Sequence, residues 1–371
     1  MAEPSTETEA SNTCDVNRLG MEQRTRVLAA AGLTVLIFVL VQLGALALVE
    51  PFESAGLQST EDPSDPTNSL VYVGVILVFT AGMLAVMKLG VEWILRVVII
   101  LTSGMLSLYV FSVVVPAVVT TTVDGAQVNL LAWVAAGLVA LALAVYPEWY
   151  VIDAAGVVMG AGAAGLFGIS FGLFPAILLL SALAVYDAIS VYGTEHMLTL
   201  ASGVMDLKVP VVLVIPLTLS YSYLEETAKA TSEGAVSEDE AASTTADDDA
   251  PESTDGGETG ADDEGDAPEP SERDVFFIGL GDAVMPTIMV ASAAFFLPVD
   301  PLVAGYSMNL PALTSMVGTL GGLVVLLWMV MKGRAHAGLP LLNGGAIGGY
   351  LVGALASGVS LVDALGLATY L

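Results

Sequence analysis

The composition of the chain excludes several classes of protein. Of its 371 residues, 55% are hydrophobic and only 13% are charged, whereas a soluble globular domain is about 45–50% apolar and about 25% charged. The 10 Lys and Arg against 39 Asp and Glu give a net charge of −29, which argues against a basic nucleic-acid-binding face. With one Cys and two His, neither a disulfide framework nor a metal site built on these residues is expected. A polytopic membrane protein remains.

Long apolar runs predict nine membrane-spanning helices. A spanning helix needs about 20 predominantly apolar residues, and nine such runs follow one another along the chain. We therefore predict an all-α fold, a polytopic membrane bundle of about nine transmembrane helices. The predicted spans are Val27–Val49, Leu70–Leu89, Ile94–Val118, Val128–Tyr146, Tyr150–Phe167, Phe171–Tyr192, Val275–Leu297, one within Leu302–Met331, and Pro340–Gly358.

Two details of this map have alternatives. The fifth and sixth runs are separated by a very short turn, so a single long broken helix is an alternative to two spans. The run Val209–Leu219 is too short to span and contains Pro210 and Pro216. This pattern favours a re-entrant or interfacial segment.

The charges divide the chain into four segments and predict its orientation. Residues 1–26 are predicted to form a disordered cytosolic tail, 27–222 the first six helices with a following cytosolic segment, 223–274 an acidic disordered cytosolic loop, and 275–371 the last three helices. Nearly all Lys and Arg residues fall on one side of the nine spans, and loops rich in these residues face the cytosol. We therefore expect a protein of the cell membrane with a cytoplasmic N-terminus and an extracellular C-terminus.

The predicted loop 223–274 contains about half of the acidic residues of the chain and almost no large apolar side chains. Such a segment cannot bury enough surface to fold. The composition favours a solvated linker in a halophilic organism, one with a salt-rich cytoplasm. An acidic loop that binds a partner is the alternative.

Three acidic residues lie well inside predicted spans, where ionisable groups are costly and mark functional sites. Asp187 in the sixth span and Asp282 in the seventh are predicted at similar depth on consecutive antiparallel helices. Two carboxylates that face each other in a low dielectric share one proton, so one can act as general base and the other as general acid on an amide. Asp153, near the start of the fifth span, is predicted to be a polar interface residue or a partner of Tyr150.

Glycines precede Asp282 in the sequence Gly279-Leu280-Gly281. Because glycine lets helices approach closely in a membrane bundle, these residues are predicted to bring Asp282 against Asp187 and to leave room for a substrate. The alternative is that they are ordinary packing residues in a chain with 38 glycines.

Two motifs of the chain resemble those of the presenilin and signal peptide peptidase family of intramembrane aspartyl proteases. They are Tyr186-Asp187 and Gly279-Leu280-Gly281-Asp282, on consecutive spans of a nine-span chain. The resemblance implies a presenilin-like helix bundle in which Asp187 and Asp282 are catalytic and the other residues of the two motifs shape the active site. The predicted orientation is that of presenilins, since signal peptide peptidases run the other way.

The third motif of this family, Pro-Ala-Leu, begins the ninth span, and the sequence offers two candidates for it. Pro311–Leu313 matches literally, but no whole helix separates it from Asp282. Pro340–Leu342 has Leu341 in place of alanine, yet it follows the basic loop after the eighth span. The resemblance therefore assigns the role of shaping the active site to Pro340, Leu341 and Leu342. Proline is tolerated in the first turn of a helix because its missing N–H would be unpaired there, and irregular backbone beside the aspartates could pair with an unwound substrate.

The function implied by the resemblance is hydrolysis of peptide bonds within transmembrane segments of other membrane proteins. It implies no metal, nucleotide or other cofactor. The expected partners are the lipid bilayer and the spanning segments of substrates, without nucleic acid, and the oligomeric state stays open.

Two other functions remain open from the sequence. Prepilin-type peptidases also use Gly-x-Gly-Asp, but they have fewer spans and place the partner aspartate near a cytosolic loop. A transporter or ion leak pathway would use Asp187 and Asp282 as ion or proton sites. Transporters commonly show an internal repeat with broken helices in both halves, and we find none in this sequence.

Overall fold

The computed structural model describes residues 6–60, 62–89, 91–123, 126–193, 212–216, 275–332, 337–368 and 370. Helices dominate this part of the chain, together with three two-stranded antiparallel sheets. In chain order the elements are α1 (Thr6–Ser54), α2 (Thr67–Lys88), α3 (Glu92–Val114), β1 (Thr120–Val123), β2 (Ala126–Asn129), α4 (Leu130–Val145), α5 (Trp149–Ser170), α6 (Leu173–Gly193), β3 (Val212–Pro216), β4 (Val275–Gly279), α7 (Leu280–Phe296), β5 (Pro301–Val303), β6 (Tyr306–Asn309), α8 (Leu310–Val330), α9 (Gly338–Ala356) and α10 (Leu361–Ala364).

Within the described residues, the apolar helices α1 to α9 confirm the predicted bundle. Seven of them are long and apolar enough to cross a membrane, whereas α4 and α7 are shorter, with 16 and 17 residues. Helices α5 and α6 are separate because Phe171 and Gly172 turn the chain between them. The alternative of one long broken helix is therefore wrong.

The predicted seventh span is wrong over its first five residues, which form strand β4. Helix α7 begins only at Leu280. The partner of β4 is β3, which is the described part of the predicted re-entrant or interfacial segment Val209–Leu219. A continuously apolar run carries no periodic signal that separates a strand from a helix. The boundary lies at Gly279, a poor helix former that serves as the N-cap of α7.

Helix α1 is longer than the predicted first span. It begins at Thr6 and so includes backbone that the sequence assigns to the tail 1–26. No proline follows Pro4 in this stretch, so the helical hydrogen bonds of the span can continue toward the N-terminus. The predicted acidic loop 223–274 lies outside the described residues.

Helix α5 lies at the centre of the bundle, where it packs against α1, α3, α4 and α7. Most of its residues are buried, and many of them are Gly or Ala. Small side chains allow this close packing: a β-carbon added to Gly162 would overlap Val110 of α3, and one added to Gly168 would overlap Ala291 of α7. Helix α5 therefore fixes the relative positions of α3 and α7.

The backbones of α8 and α9 are in direct contact. A β-carbon on Gly345 of α9 would overlap the carbonyl oxygen of Gly318 on α8, and one on Gly322 of α8 would overlap the carbonyl oxygen of Leu341. The second contact lies in the first turn of α9. This glycine seam therefore fixes where α9 begins relative to α8.

The seam predicts opposite effects for two adjacent glycines of α9. Gly345→Ala should lower the free energy of unfolding by about 1–3 kcal/mol, because backbone would have to move to make room for the methyl group. Gly344→Ala should be neutral or slightly stabilising, because no described atom lies within 4 Å of its added β-carbon. The thermal unfolding midpoints of both variants in detergent check this, and equal midpoints would contradict the seam.

Candidate functional site

Asp187 lies on α6, six residues before the helix ends at Gly193. Its side chain is only 8% exposed, whereas that of the adjacent Tyr186 is 40% exposed. The carboxyl group therefore points into the bundle.

The carboxylate of Asp187 binds the beginning of α9. Its Oδ2 accepts a hydrogen bond of 3.0 Å from the N–H of Leu339, and the N–H of Gly338 also interacts with it. The N-cap of α9, Ala337, has no side chain that could accept these bonds. Because the first N–H groups of a helix have no partner inside the helix, Asp187 supplies from α6 an acceptor that α9 lacks.

Asp282 is the third residue of α7, so it lies at the end of its helix and not well inside a span as predicted. A β-carbon added to Gly338 of α9 would lie 3.6 Å from its Oδ2. Asp187 is close enough to interact electrostatically with Asp282. Both carboxyl groups thus lie at the first turn of α9, that of Asp187 at the N–H of Leu339 and that of Asp282 near Gly338.

The residues before Asp282 have different surroundings. A β-carbon on Gly279 would lie 3.5 Å from Asp282 Oδ2, but one on Gly281 would find no described atom within 4 Å. Gly279 thus lies close to the carboxylate, and Gly281 has no described neighbour within this distance outside Leu280 and Asp282; the predicted role of the two glycines stays a prediction. Leu280 packs toward α5, where its Cδ1 would lie 3.3 Å from a β-carbon on Gly160.

The segment Pro340–Leu342 directly follows Gly338 and Leu339, the residues near Asp282 and Asp187. Leu342 is fully buried in a cluster that includes Ala283, the residue after Asp282. The carbonyl of Leu341 contacts α8 at the glycine seam. Because Pro340 has no N–H, the first free backbone N–H groups of α9 are those of Gly338 and Leu339.

The literal motif Pro311–Leu313 lies at the other end of the bundle. It begins α8, where the backbone of Pro311 contacts Gly353 of α9. Gly353 follows Gly338 by 15 residues, which corresponds to about 22 Å along a helix. The structure therefore brings Pro340–Leu342, and not Pro311–Leu313, to the aspartates.

Sequence reasoning missed two contacts of this site. The first is the Leu339 N–H that binds Asp187. The second is Asn343, whose Nδ2 donates a 2.9 Å hydrogen bond to the carbonyl of Leu180 on α6. Leu180 precedes Asp187 by two helical turns, so this bond ties the same face of α6 to α9. A single amide inside the apolar ninth run was the available signal for Asn343.

Other possible sites lie apart from the aspartates. A cavity of about 560 Å³ is lined by Ser64, Gly172 and Asp363, among other residues, near the turn between α5 and α6. Among the described residues, no group of three or more His, Cys, Asp or Glu side chains could hold a metal ion.

Comparison with known proteins identifies the family. The family model described as "Signal-peptide peptidase, presenilin aspartyl protease" matches residues 35–359, which include Asp187, Asp282 and Pro340. The chain belongs to this family. The resemblance seen in the sequence motifs is thereby confirmed.

Two solved structures of a presenilin family intramembrane aspartate protease are similar to the chain. The structure in space group C222 shares 31% identity, with coverage of 89% of this chain and 99% of that one and a TM-score of 0.56. The structure in space group P2 shares 33% identity, with coverage of 87% and 96% and a TM-score of 0.53. No curated protein matches the chain.

The contact between Asp187 and α9 predicts different stabilities for two substitutions. Asp187→Leu should lower the free energy of unfolding by about 1–3 kcal/mol, because the N–H of Leu339 loses its charged acceptor. Asp187→Asn should cost less, because the amide oxygen can still accept this bond. Thermal unfolding in detergent measures both, with Tyr186→Leu as the control on the adjacent, more exposed residue. Equal losses for Leu and Asn would show that the bond to Leu339 does not stabilise the fold.

Proposed function

We propose that the chain is an intramembrane aspartyl protease that hydrolyses peptide bonds within transmembrane segments of membrane proteins, with Asp187 and Asp282 as its catalytic pair. The observation that carries this proposal is the meeting of both carboxyl groups at the first turn of α9. Membership in the aspartyl protease family supports this chemistry over the transporter alternative. The similar structures are those of an intramembrane aspartate protease.

In the proposed reaction, the two carboxyl groups share one proton. The ionised member takes a proton from water, whose oxygen attacks the carbonyl carbon of the scissile peptide, while the protonated member donates its proton to the carbonyl oxygen. The product is a neutral diol at the former carbonyl carbon. The proton then held by the first carboxyl group passes to the amide nitrogen, the second takes a proton from the diol, and the C–N bond breaks. The pair returns to its starting state.

The neighbouring residues have supporting roles in this proposal. Gly281 adds no side chain next to Asp282 and so leaves room for substrate and water, while Gly279 keeps side-chain bulk away from the same carboxylate. Apolar packing of Leu280 holds the start of α7 in place, and that of Leu342 holds the start of α9. The exposed ring of Tyr186 lies where a substrate helix approaching from the lipid would contact α6.

The proposed substrate is locally unwound at the cut. A spanning helix hides its peptide bonds in its own hydrogen bonds, so a carboxyl group cannot reach them before the helix opens. Near the catalytic pair, the backbone of this chain is itself non-helical at β4 and at Ala337. Such backbone can pair with an extended segment.

The proposed setting is the cell membrane, with the N-terminus in the cytoplasm and the C-terminus outside. The Lys and Arg distribution supports this orientation. It places the catalytic pair toward the cytosolic side, from which water would reach it.

Neutral substitutions of the two aspartates test the proposal. Asp187→Asn and Asp282→Asn should each lower the rate of cleavage of a spanning model peptide in lipid vesicles by at least about 10²–10⁴-fold, because each removes one proton-transfer group. Both proteins should remain folded, since an amide has nearly the same volume and removes a buried charge.

Cleavage is measured by mass spectrometry of the fragments, with and without a transition-state inhibitor of aspartyl proteases. Thermal unfolding of each variant is the control for folding. Cleavage by either variant at the wild-type rate would refute the proposed pair. Wild-type cleavage that the inhibitor does not reduce would refute the proposed mechanism.

The two proline motifs give a second test. Pro340→Ala should lower kcat by about tenfold or more, because it adds an N–H beside the catalytic pair and changes the first turn of α9. Pro311→Ala should leave kcat nearly unchanged, because Pro311 lies about 22 Å away along α9. Peptide cleavage per folded molecule distinguishes the two, and a loss specific to Pro311 would overturn the assignment.

A further inference from the structure

One buried carboxyl group has no part in the proposed reaction. Asp153 on α5 is 7% exposed. Its Oδ1 accepts a 2.8 Å hydrogen bond from the N–H of Val214 in β3, and its Oδ2 is buried without a hydrogen-bond partner among the described residues. Of the two predicted roles, the structure favours that of a polar interface residue, because the partner of Asp153 is strand β3 and not Tyr150. A buried carboxyl group is costly, which raises the question of what this contact achieves.

The bond to Val214 leads directly to Asp282. In the sheet, Val214 pairs with Phe277 of β4, and Phe277 precedes Asp282 by five residues. Strand β4 ends at Gly279, and α7 begins at the next residue. Any shift of β3 relative to α5 would therefore move the start of α7 and the carboxyl group on its third residue.

The same face of α5 packs against both the strand and the helix. Gly156 follows Asp153 by three residues, and a β-carbon there would lie 2.9 Å from Leu213 of β3 and 3.7 Å from Leu280 of α7. One turn further, a β-carbon on Gly160 would lie 3.3 Å from Leu280. These glycines allow apolar contacts that limit the distance between α5 and the sheet. Apolar contacts are not directional, however, so they do not fix the register of the strand.

We propose that Asp153 is a positioning residue that, through its hydrogen bond to Val214, fixes the β3–β4 sheet on α5 and thereby places Asp282 relative to Asp187. The inference rests on the proposed function, because it takes Asp282 to be a catalytic residue. Val214 is 2% exposed, so its N–H has no access to water as an alternative partner. A hydrogen bond is directional, so it fixes the register of β3 on α5, which the packing of Leu213 and Leu280 does not.

Two substitutions separate the hydrogen bond from the volume of the side chain. Asp153→Leu keeps the number and branching of the side-chain heavy atoms and removes the acceptor, whereas Asp153→Asn keeps an acceptor oxygen. The matched control is Ser292→Ala, which removes a buried 2.9 Å hydrogen bond from the other end of α7 to the carbonyl of Phe171. All three are made in the full chain and reconstituted in lipid vesicles.

The activity measurement is kcat and KM for a spanning peptide. The concentration of active sites is determined by titration with a tight-binding aspartyl protease inhibitor. Asp153→Leu should lower kcat by about 10- to 100-fold with little change in KM, since a small misplacement of a reacting group has effects of this size. Asp153→Asn should recover kcat to within about threefold of wild type, and Ser292→Ala should retain it. Full kcat in Asp153→Leu, an equal loss in Asp153→Asn, or an equal loss in Ser292→Ala would each overturn the inference.

Amide hydrogen exchange gives a readout that does not depend on activity. In Asp153→Leu, exchange should become faster in residues 212–216 and 275–279, whereas Asp153→Asn should retain most of the protection. Unchanged exchange in the Leu variant would overturn the inference even if cleavage fell. A wild-type protein that cleaves no spanning peptide would instead refute the proposed function, while the exchange data would still report whether Asp153 holds the strand.

Discussion

The bond from the Leu339 N–H to the Asp187 carboxylate is the contact on which the candidate site depends. It joins the last turns of α6 to the first turn of α9, at a helix start whose own N-cap residue has no acceptor. The adjacent Gly338 faces Asp282 at the start of α7. Three helix ends therefore meet at one short backbone segment, and the two carboxyl groups are placed by the same few atoms.

The rest of the bundle keeps that segment in place. The glycine seam between α8 and α9 fixes α9 by backbone contact, including one at Leu341. Asn343 ties α9 to α6 one turn away from Leu339. Backbone contacts and buried hydrogen bonds of this kind leave little freedom for sliding, because packed interiors resist small displacements. Helices α8 and α6 thus both hold α9 where the Leu339 N–H can reach Asp187.

The sequence predicts the helical bundle well because long apolar runs in a membrane protein have few other solutions. Of the two proline motifs, Pro340–Leu342, which the sequence favours, lies in the turn of α9 that contacts both aspartates, although Pro311–Leu313 is the closer literal match. What the sequence could not reveal is the change from strand to helix at Gly279, since hydropathy is the same on both sides. The bonds of Leu339 and Val214 were also hidden, because any residue except proline offers the same backbone N–H.

The start of α7 at Leu280 changes the physical character of the candidate site. With a helix from Val275, as the sequence suggests, Asp282 would lie two turns inside a regular span, where neither water nor an extended peptide has access. In the structure it lies three residues after the junction of a strand and a helix, next to Gly281, which has no side chain. Irregular backbone at membrane depth is tolerated only where protein buries it or water reaches it. Hydrolysis requires both water and an unwound substrate, so the proposed chemistry favours Asp282 at such a junction, where Asp187 approaches it from α6.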